Sequence, residues 1–285
     1  MSTQKSVVIT GASAGLGEQV AYALAGKGYR VYGAVFNEAE MAKAAEKASG
    51  MDIHYFPCDV TKAEQIHAWM EAVNAHQKGA GIDILINNAG VLTPGPLEIL
   101  KLDEIKYEFE VNVFGSLAVI NAFLPALRLS KGRILQIGSV SGILAVPYNG
   151  VSSASKATME AFADVFRTEL RPFGIDFVMV APGNMMTSGP AKTIAMVDKL
   201  AAEMTPEQQK LYGKEFGRFS EVFKKMQSSG MAVEDAAARL VEIAEADPAP
   251  IRAGIGEDAE QMRALVKLKT DEELDALRRE SFNLD

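Results

Sequence analysis

The sequence predicts an α/β fold: a doubly wound parallel sheet of about seven strands, in a single domain spanning residues 1–285. Three observations predict it. Short β-branched apolar runs alternate with longer helical patterns along most of the chain. The runs are apolar nearly throughout, as strands covered by helices on both faces are. A glycine-rich turn follows the first run directly and opens a helical stretch. At 285 residues the chain is long enough for one large, well-buried domain.

The elements follow in order. Val7-Val8-Ile9-Thr10 opens as the first strand, residues 7–10. Further strands are expected at 30–35, 53–57, 82–87, 132–138 and 175–181, with a short seventh near 250–254. Helical patterns fill the gaps at 15–26, 38–48, 62–78, 103–129 and 152–173, and again at 233–246. Right-handed crossovers would bring every strand's carboxyl end to one edge, where ligands of such sheets bind. Residues 189–230 break the rhythm with a stretch rich in Met, Phe, Lys and Glu, which reads as a substrate lid. The tail, about 256–285, reads as two short amphipathic helices packed on the domain or on a neighbouring subunit.

Hydrophobic residues make up 48% and charged residues 23%, ordinary for a globular chain. The net charge of −8 argues against nucleic acid or an anionic membrane as partner. One cysteine, Cys58, allows no intrachain disulfide, and with no signal-like or membrane-length apolar segment a cytoplasmic location is expected. No metal is expected.

Gly11-x-x-x-Gly15-x-Gly17 permits a tight turn and close backbone approach, and the helix it opens offers free N–H groups to a pyrophosphate. The chain also carries Asn87-Asn88-Ala89-Gly90, Ile137-Gly138-Ser139-Val140-Ser141-Gly142 and Ser152-Ser153-Ala154-Ser155-Lys156. Together these stretches resemble the short-chain dehydrogenase/reductase family, in its shorter-chain branch, whose active-site signature is Tyr-x-x-x-Lys. Here the lysine is present and Ser152 stands at the tyrosine position.

The resemblance implies a Rossmann-type fold and an NAD(P) dinucleotide. It implies cofactor contacts from Gly11, Ser13, Gly15, Leu16, Gly17, Phe36, Asn37, Asp59, Val60, Asn87, Ala89, Gly90 and Lys156. After the sixth strand, Pro182, Gly183, Met185 and Thr187 match the segment that holds the nicotinamide carboxamide. Ala34-Val35-Phe36-Asn37 ends the second strand with no charge for the ribose, and Ala14 offers no cation for a 2′-phosphate, so the reading leans slightly to NAD over NADP.

The resemblance also implies catalytic roles for Asn112, Ser139 and Lys156, with Ser152 in place of the proton-donating phenol. Taken singly, Asn112 reads equally as helix packing, Ser139 as a turn former, Lys156 as a solvated lysine and Ser152 as a helix cap. A serine hydroxyl titrates near water's ~15.7, far above a phenol's ~10, and reaches less far. This chain is therefore expected to bind cofactor and substrate yet be severely impaired. Deliberate inactivation is the favoured explanation, with a natural pseudoenzyme sensing the dinucleotide as the alternative. A sugar-nucleotide epimerase is disfavoured by the glycine spacing.

Leu92, Ser141, Leu144, Val146, Tyr148, Met185, Met186, Phe216 and Phe219 are expected to line a mostly apolar pocket for a bulky alcohol or ketone. Tyr148, the one nearby phenol, reads first as pocket wall and only distantly as a substitute acid. By resemblance, the chain is expected to form a homodimer or homotetramer through its two long helices.

Overall fold

The computed structural model describes residues 4–186 and 189–285. Seven strands form one wholly parallel sheet: β1 (Ser6–Thr10), β2 (Arg30–Val35), β3 (Ile53–Pro57), β4 (Ile84–Asn87), β5 (Arg133–Ile137), β6 (Asp176–Pro182) and, returning late in the chain, Arg252–Ile255. Two short strands, β7 (Met185–Met186) and β8 (Met231–Ala232), pair in a separate small sheet, so the returning strand is β9. The order β3-β2-β1-β4-β5-β6-β9 reverses direction between β1 and β4. That switch point opens a crevice at the carboxyl edge, the place such sheets use for ligands.

The helices are α1 (Gly15–Gly26), α2 (Glu38–Lys47), α3 (Ala63–His76), α4 (Leu102–Phe109), α5 (Ser116–Ser130), α6 (Gly150–Leu170), α7 (Gly189–Glu203), α8 (Pro206–Ser228), α9 (Val233–Glu245), α10 (Glu257–Leu265) and α11 (Asp271–Ser281). One apolar layer lies between the sheet and α1 and α9, built on Val20, Leu24, Ile86, Val180 and Leu240. The opposite layer joins the sheet to α3, α5 and α6 through Trp69, Phe123, Leu127, Met159 and Phe177. Trp69 and Phe123 meet edge to face at 4.8 Å, and truncating either buried ring would cost about 3–5 kcal/mol.

The expected helix over 103–129 is longer and interrupted. Between α4 and α5 the turns widen into a π-helical stretch, Glu110–Gly115. Such widened turns concentrate at functional sites. The whole run Leu102–Ser130 is long and apolar enough to cross a membrane, but half of its apolar window is buried in the protein.

The stretch expected as a lid folds as α7 and α8, and it has a core of its own. Val197, Met204, Phe216, Phe219 and Phe223 cluster with Phe282 from beyond α11, against Val146 and Tyr148 of the loop before α6. Phe219 and Phe282 lie 5.4 Å apart. Asp285 pairs with both Lys214 and Arg218 of α8 at 2.6 Å. The tail forms the two helices expected of it, and Arg278 Nε of α11 donates to the Ala145 carbonyl at 3.2 Å.

Candidate active site at the carboxyl edge of the sheet

The turn after β1 is built by glycine. Gly11 and Gly15 hold positive φ angles of 66° and 58°, where side chains are disfavoured. A Cβ at Gly17 would stand 2.3 Å from the Gly11 carbonyl oxygen, so only glycine lets α1 start so close to β1. Ala14 caps α1 without a side-chain hydrogen bond, leaving the first N–H groups of the helix to an anion. Leu16 contributes only backbone here, because its side chain is buried in the layer under α1. Ser13 Oγ donates to Glu40 Oε2 at 2.7 Å.

At the end of β2, Phe36 is 53% exposed and its ring is open to a ligand. Asn37 is the cap of α2, its Oδ1 accepting from the Glu40 N–H at 2.9 Å. Asp59 Oδ1 accepts from both the N–H and the hydroxyl of Thr61, which fixes the loop after β3. Val60 packs against the π stretch, where a Cβ at Gly115 would meet it at 2.9 Å. Burial pushes the neighbouring Cys58 thiol up to about 12, with Asp59 adding to the shift, so this thiol is packing rather than a nucleophile.

The Asn87 amide is buried and donates to the Ser116 carbonyl and to Gln136 Oε1, so its side chain ties the sheet to α5 and leaves its backbone for the ligand edge. Asn88 instead braces the edge, donating to the carbonyls of Thr10 and Gly11, while Thr10 Oγ1 accepts from the Asn88 and Ala89 N–H groups.

The catalytic candidates converge next to Gly90. A methyl group there would stand 3.2 Å from Asn112 Oδ1 and 3.4 Å from Lys156 Nζ. Asn112, in the π stretch, accepts from the Val91 N–H and donates to the Val91 carbonyl, both at 2.9 Å. Its amide also reaches Ser155 Oγ at 3.0 Å and Glu108 Oε1 at 3.3 Å. Lys156 Nζ donates to the Ile137 carbonyl at 3.0 Å, at the end of β5. The stem of Lys156 packs on Gly142, where a Cβ would clash at 2.9 Å, and this seats the lysine beside the turn that carries Ser139. Ser139 Oγ accepts from the N–H and hydroxyl of Ser141, which leaves its own proton for an acceptor outside the turn.

Ser152 is buried within the first turn of α6. The cap reading fails, because the helix begins at Gly150 and Asn149 holds the cap position. Ser152 accepts at its carbonyl from Ser155 Oγ at 3.0 Å. Tyr148 belongs to the lid core. Its ring packs on Phe216 and Phe219 at 5.6 and 5.5 Å, inside the lid core, and its hydroxyl is pushed up by burial and then by Glu215. Phe216 and Phe219 are likewise 1% and 0% exposed, so they support the roof from within and do not line a pocket. Leu144 is buried, and Leu92, Val146 and Met185 are half-buried; Met186 is exposed. Pro182 ends β6 beside Ile255, and Asp258 closes over Gly183, its Oδ2 accepting from the Asn184 N–H at 2.9 Å. Thr187 lies outside the described residues. Two surface concavities, around Lys5 and Tyr29 and around Arg167 and Ile251, lie away from all of these groups at the amino edge.

The sequence reading missed Glu108. Its carboxyl is fully buried on α4; Oε1 takes bonds from Asn112 and Ser155, and Oε2 has no hydrogen-bond partner. Burial pushes its pKa up, with Thr93, Ser155 and Lys156 pulling against that. Burial likewise brings the Lys156 ammonium down to about 8, opposed by Glu108. The available signal was spacing: Glu108 is one helical turn before Asn112, on the same face.

A profile of the short chain dehydrogenase family matches residues 5–197. The chain belongs to that family. A 3-amino-tetrahydro-pyrrolizinone reductase of Xenorhabdus hominickii is 31% identical over 274 residues, covering 96% of this chain and 94% of the relative. An NADPH-dependent 3-dehydrocapnine reductase of Ornithobacterium rhinotracheale is 29% identical and a 3-ketodihydrosphingosine reductase of Bacteroides thetaiotaomicron 28% identical, covering 82% and 88% of this chain and 82% and 87% of the relatives. Among solved structures, a short-chain dehydrogenase of Burkholderia cenocepacia in complex with NADP superposes with a TM-score of 0.74 at 24% identity, over 96% of this chain and 97% of that one. That likeness carries the family fold. Membership makes the chain an oxidoreductase of the NAD(P)-using kind.

Proposed function

We propose that the protein binds a nicotinamide dinucleotide along the turn Gly11–Gly17 and interconverts a secondary alcohol and a ketone on a fairly bulky, mostly apolar substrate, with turnover limited by Ser152. The observation that carries this reading is the meeting of Asn112 Oδ1 and Lys156 Nζ around Gly90, next to the turn that aims the Ser139 proton outward. The site fits the dinucleotide. The uncapped start of α1 suits a pyrophosphate, and the missing side chain at Gly90 leaves room beside the lysine.

When bound, the nicotinamide supplies or accepts the hydride. Ser139 donates a hydrogen bond to the carbonyl oxygen and so stabilises the negative charge that develops there. Lys156, held by the Ile137 carbonyl, presents a positive charge to the ribose side of the site. Asn112 fixes the Val91 backbone and the π stretch, keeping α4 and α6 in register. Ser152 has no group acidic enough to deliver the final proton near neutral pH. Two relatives are named reductases of a 3-keto or 3-dehydro compound, which supports a ketone as the reducible group.

Exposed Phe114, Leu129 and Val165 on the two long helices support a homodimer or homotetramer, and a single buried thiol suits a cytoplasmic setting. A second reading, a non-catalytic dinucleotide sensor, is favoured by Ser152 alone. The experiment is Ser152→Tyr, assayed with bulky ketones and both reduced dinucleotides. A gain of at least about a hundredfold is expected, the scale of a positioned general acid. No gain, with dinucleotide binding intact, would favour the sensor.

A further inference from the structure

Among the described residues, Glu108 is the one charged side chain that is buried outright. Asn112 Nδ2 and Ser155 Oγ both donate to its Oε1 at 3.3 Å. Its Oε2 is buried with no hydrogen-bond partner. A carboxylate with one oxygen unmet costs more there than an uncharged side chain of the same shape. The two donors do not call for a charge, since a glutamine carbonyl would accept from both.

The opposite charge stands on the facing helix. Ser155, which bonds Glu108, directly precedes Lys156 on α6. Asn112, which also bonds it, has Oδ1 beside Gly90, where a methyl group would lie 3.2 Å from that oxygen and 3.4 Å from Lys156 Nζ. Nζ itself donates to the Ile137 carbonyl rather than to the acid, so the two charges act on each other across space. The other groups beside Glu108 are neutral: Thr93 of the loop after β4, Asn112 and Ser155. Lys106 and Glu110, its neighbours along the chain, are exposed. Burial drives the carboxyl up and the ammonium down, and each charge opposes the shift in the other.

We propose that Glu108 is a positioning residue whose carboxylate keeps Lys156 a cation in its poorly solvated place; what that cation does for the dinucleotide rests on the reading above. A buried amine gives up its proton more readily than one in water, and a neutral lysine would present no charge to the ribose side. Attraction between opposite charges is far stronger away from water, so the carboxylate works without touching Nζ. Glu108 takes no proton from the substrate and gives it none. Its effect reaches the site only through Lys156.

The test follows the lysine itself, in the full chain without ligand, so Ser152 does not compromise it. Protein carrying isotope-labelled lysine is titrated by NMR, and the Lys156 Cε signal is identified by its loss in Lys156→Met. In the parent it should titrate at about 8 and show a second, smaller step at acid pH, where Glu108 gains its proton. Glu108→Gln, which keeps the shape and loses the charge, should lower the main midpoint by at least about one pH unit, a tenfold change in proton affinity. Glu108→Asp, which keeps the charge and loses the shape, should leave it within about half a pH unit. An unchanged midpoint in Glu108→Gln, an equal fall in both variants, or no acid step in the parent would overturn the proposal. Fluorescence titration with NADH then reads the consequence. Affinity should decline as pH rises through about 8 in the parent, and at least about one pH unit earlier in Glu108→Gln. Binding that ignores the Lys156 midpoint would overturn the role toward the dinucleotide. Binding of neither NADH nor NADPH by a folded parent would overturn the dinucleotide reading and leave the coupling of Glu108 to Lys156 standing.

Discussion

Asn112 Nδ2 donates to Ser155 Oγ at 3.0 Å, tying the π-helical stretch to α6 one residue before Lys156. The same amide holds both backbone groups of Val91 at 2.9 Å. One side chain therefore joins the loop after β4, the widened helix and the lysine-bearing helix.

Asn112→Ala should destabilise the protein by about 1–3 kcal/mol, because it removes a buried amide that bonds the Val91 backbone, Ser155 and Glu108 together. Urea unfolding at neutral pH measures this. A loss under about 1 kcal/mol would show that water replaces the amide without cost.

Glu108→Gln should gain stability relative to the parent as pH rises. Burial raises the folded-state pKa of Glu108 above its unfolded value, so folding favours the protonated carboxyl. That contribution is fully present below the unfolded pKa and is lost as pH rises through the folded one. Glutamine keeps an acceptor for Asn112 and Ser155 and does not titrate. Unfolding curves from about pH 4 to about pH 8 should show the difference widening in favour of the variant. Parallel curves would mean that Lys156 neutralises the carboxylate fully.

Gly17→Ala should weaken dinucleotide binding at least about tenfold and lower stability by about 1–3 kcal/mol, since the added methyl meets a backbone carbonyl that cannot move aside. Fluorescence titration with NADH and a thermal melt together check it. A variant that binds as the parent does would mean that α1 can shift without disturbing the anion site.

Much of this architecture was legible because its signals are local. Val7-Val8-Ile9 and its counterparts read as buried parallel strands, and Gly11-x-x-x-Gly15-x-Gly17 as the tight start of a helix. Asn112, Ser139 and Lys156 were singled out by the family resemblance; Asn112 and Lys156 both border Gly90, and Lys156 packs on Gly142 of the turn after Ser139. The misreadings share a cause: each depends on partners distant in sequence. Nothing in the sequence marked Gln136 and Ser116 as the partners that hold the Asn87 amide. Phe216 and Phe219 looked like pocket walls because Phe282, the ring that completes their core, comes more than sixty residues later. Glu108 drew no reading from Lys106-Tyr107-Glu108, because its burial depends on contact with Ser155 of α6, far along the chain.

Phe219→Ala should unfold the roof while the sheet stays folded. Removing a buried phenyl ring costs about 3–5 kcal/mol, more than a two-helix lid can absorb. Hydrogen exchange should accelerate across α7 and α8 and stay slow in β1, β4 and β5. Uniform acceleration would mean that lid and sheet unfold as one unit.

The roof is keyed by the tail. Phe282 fills its core, and Asp285 clasps Lys214 and Arg218 from outside. Lifting α8 therefore means withdrawing an aromatic plug and parting two ion pairs in the same motion. A pair of fluorophores on α8 and α11 would register that motion directly.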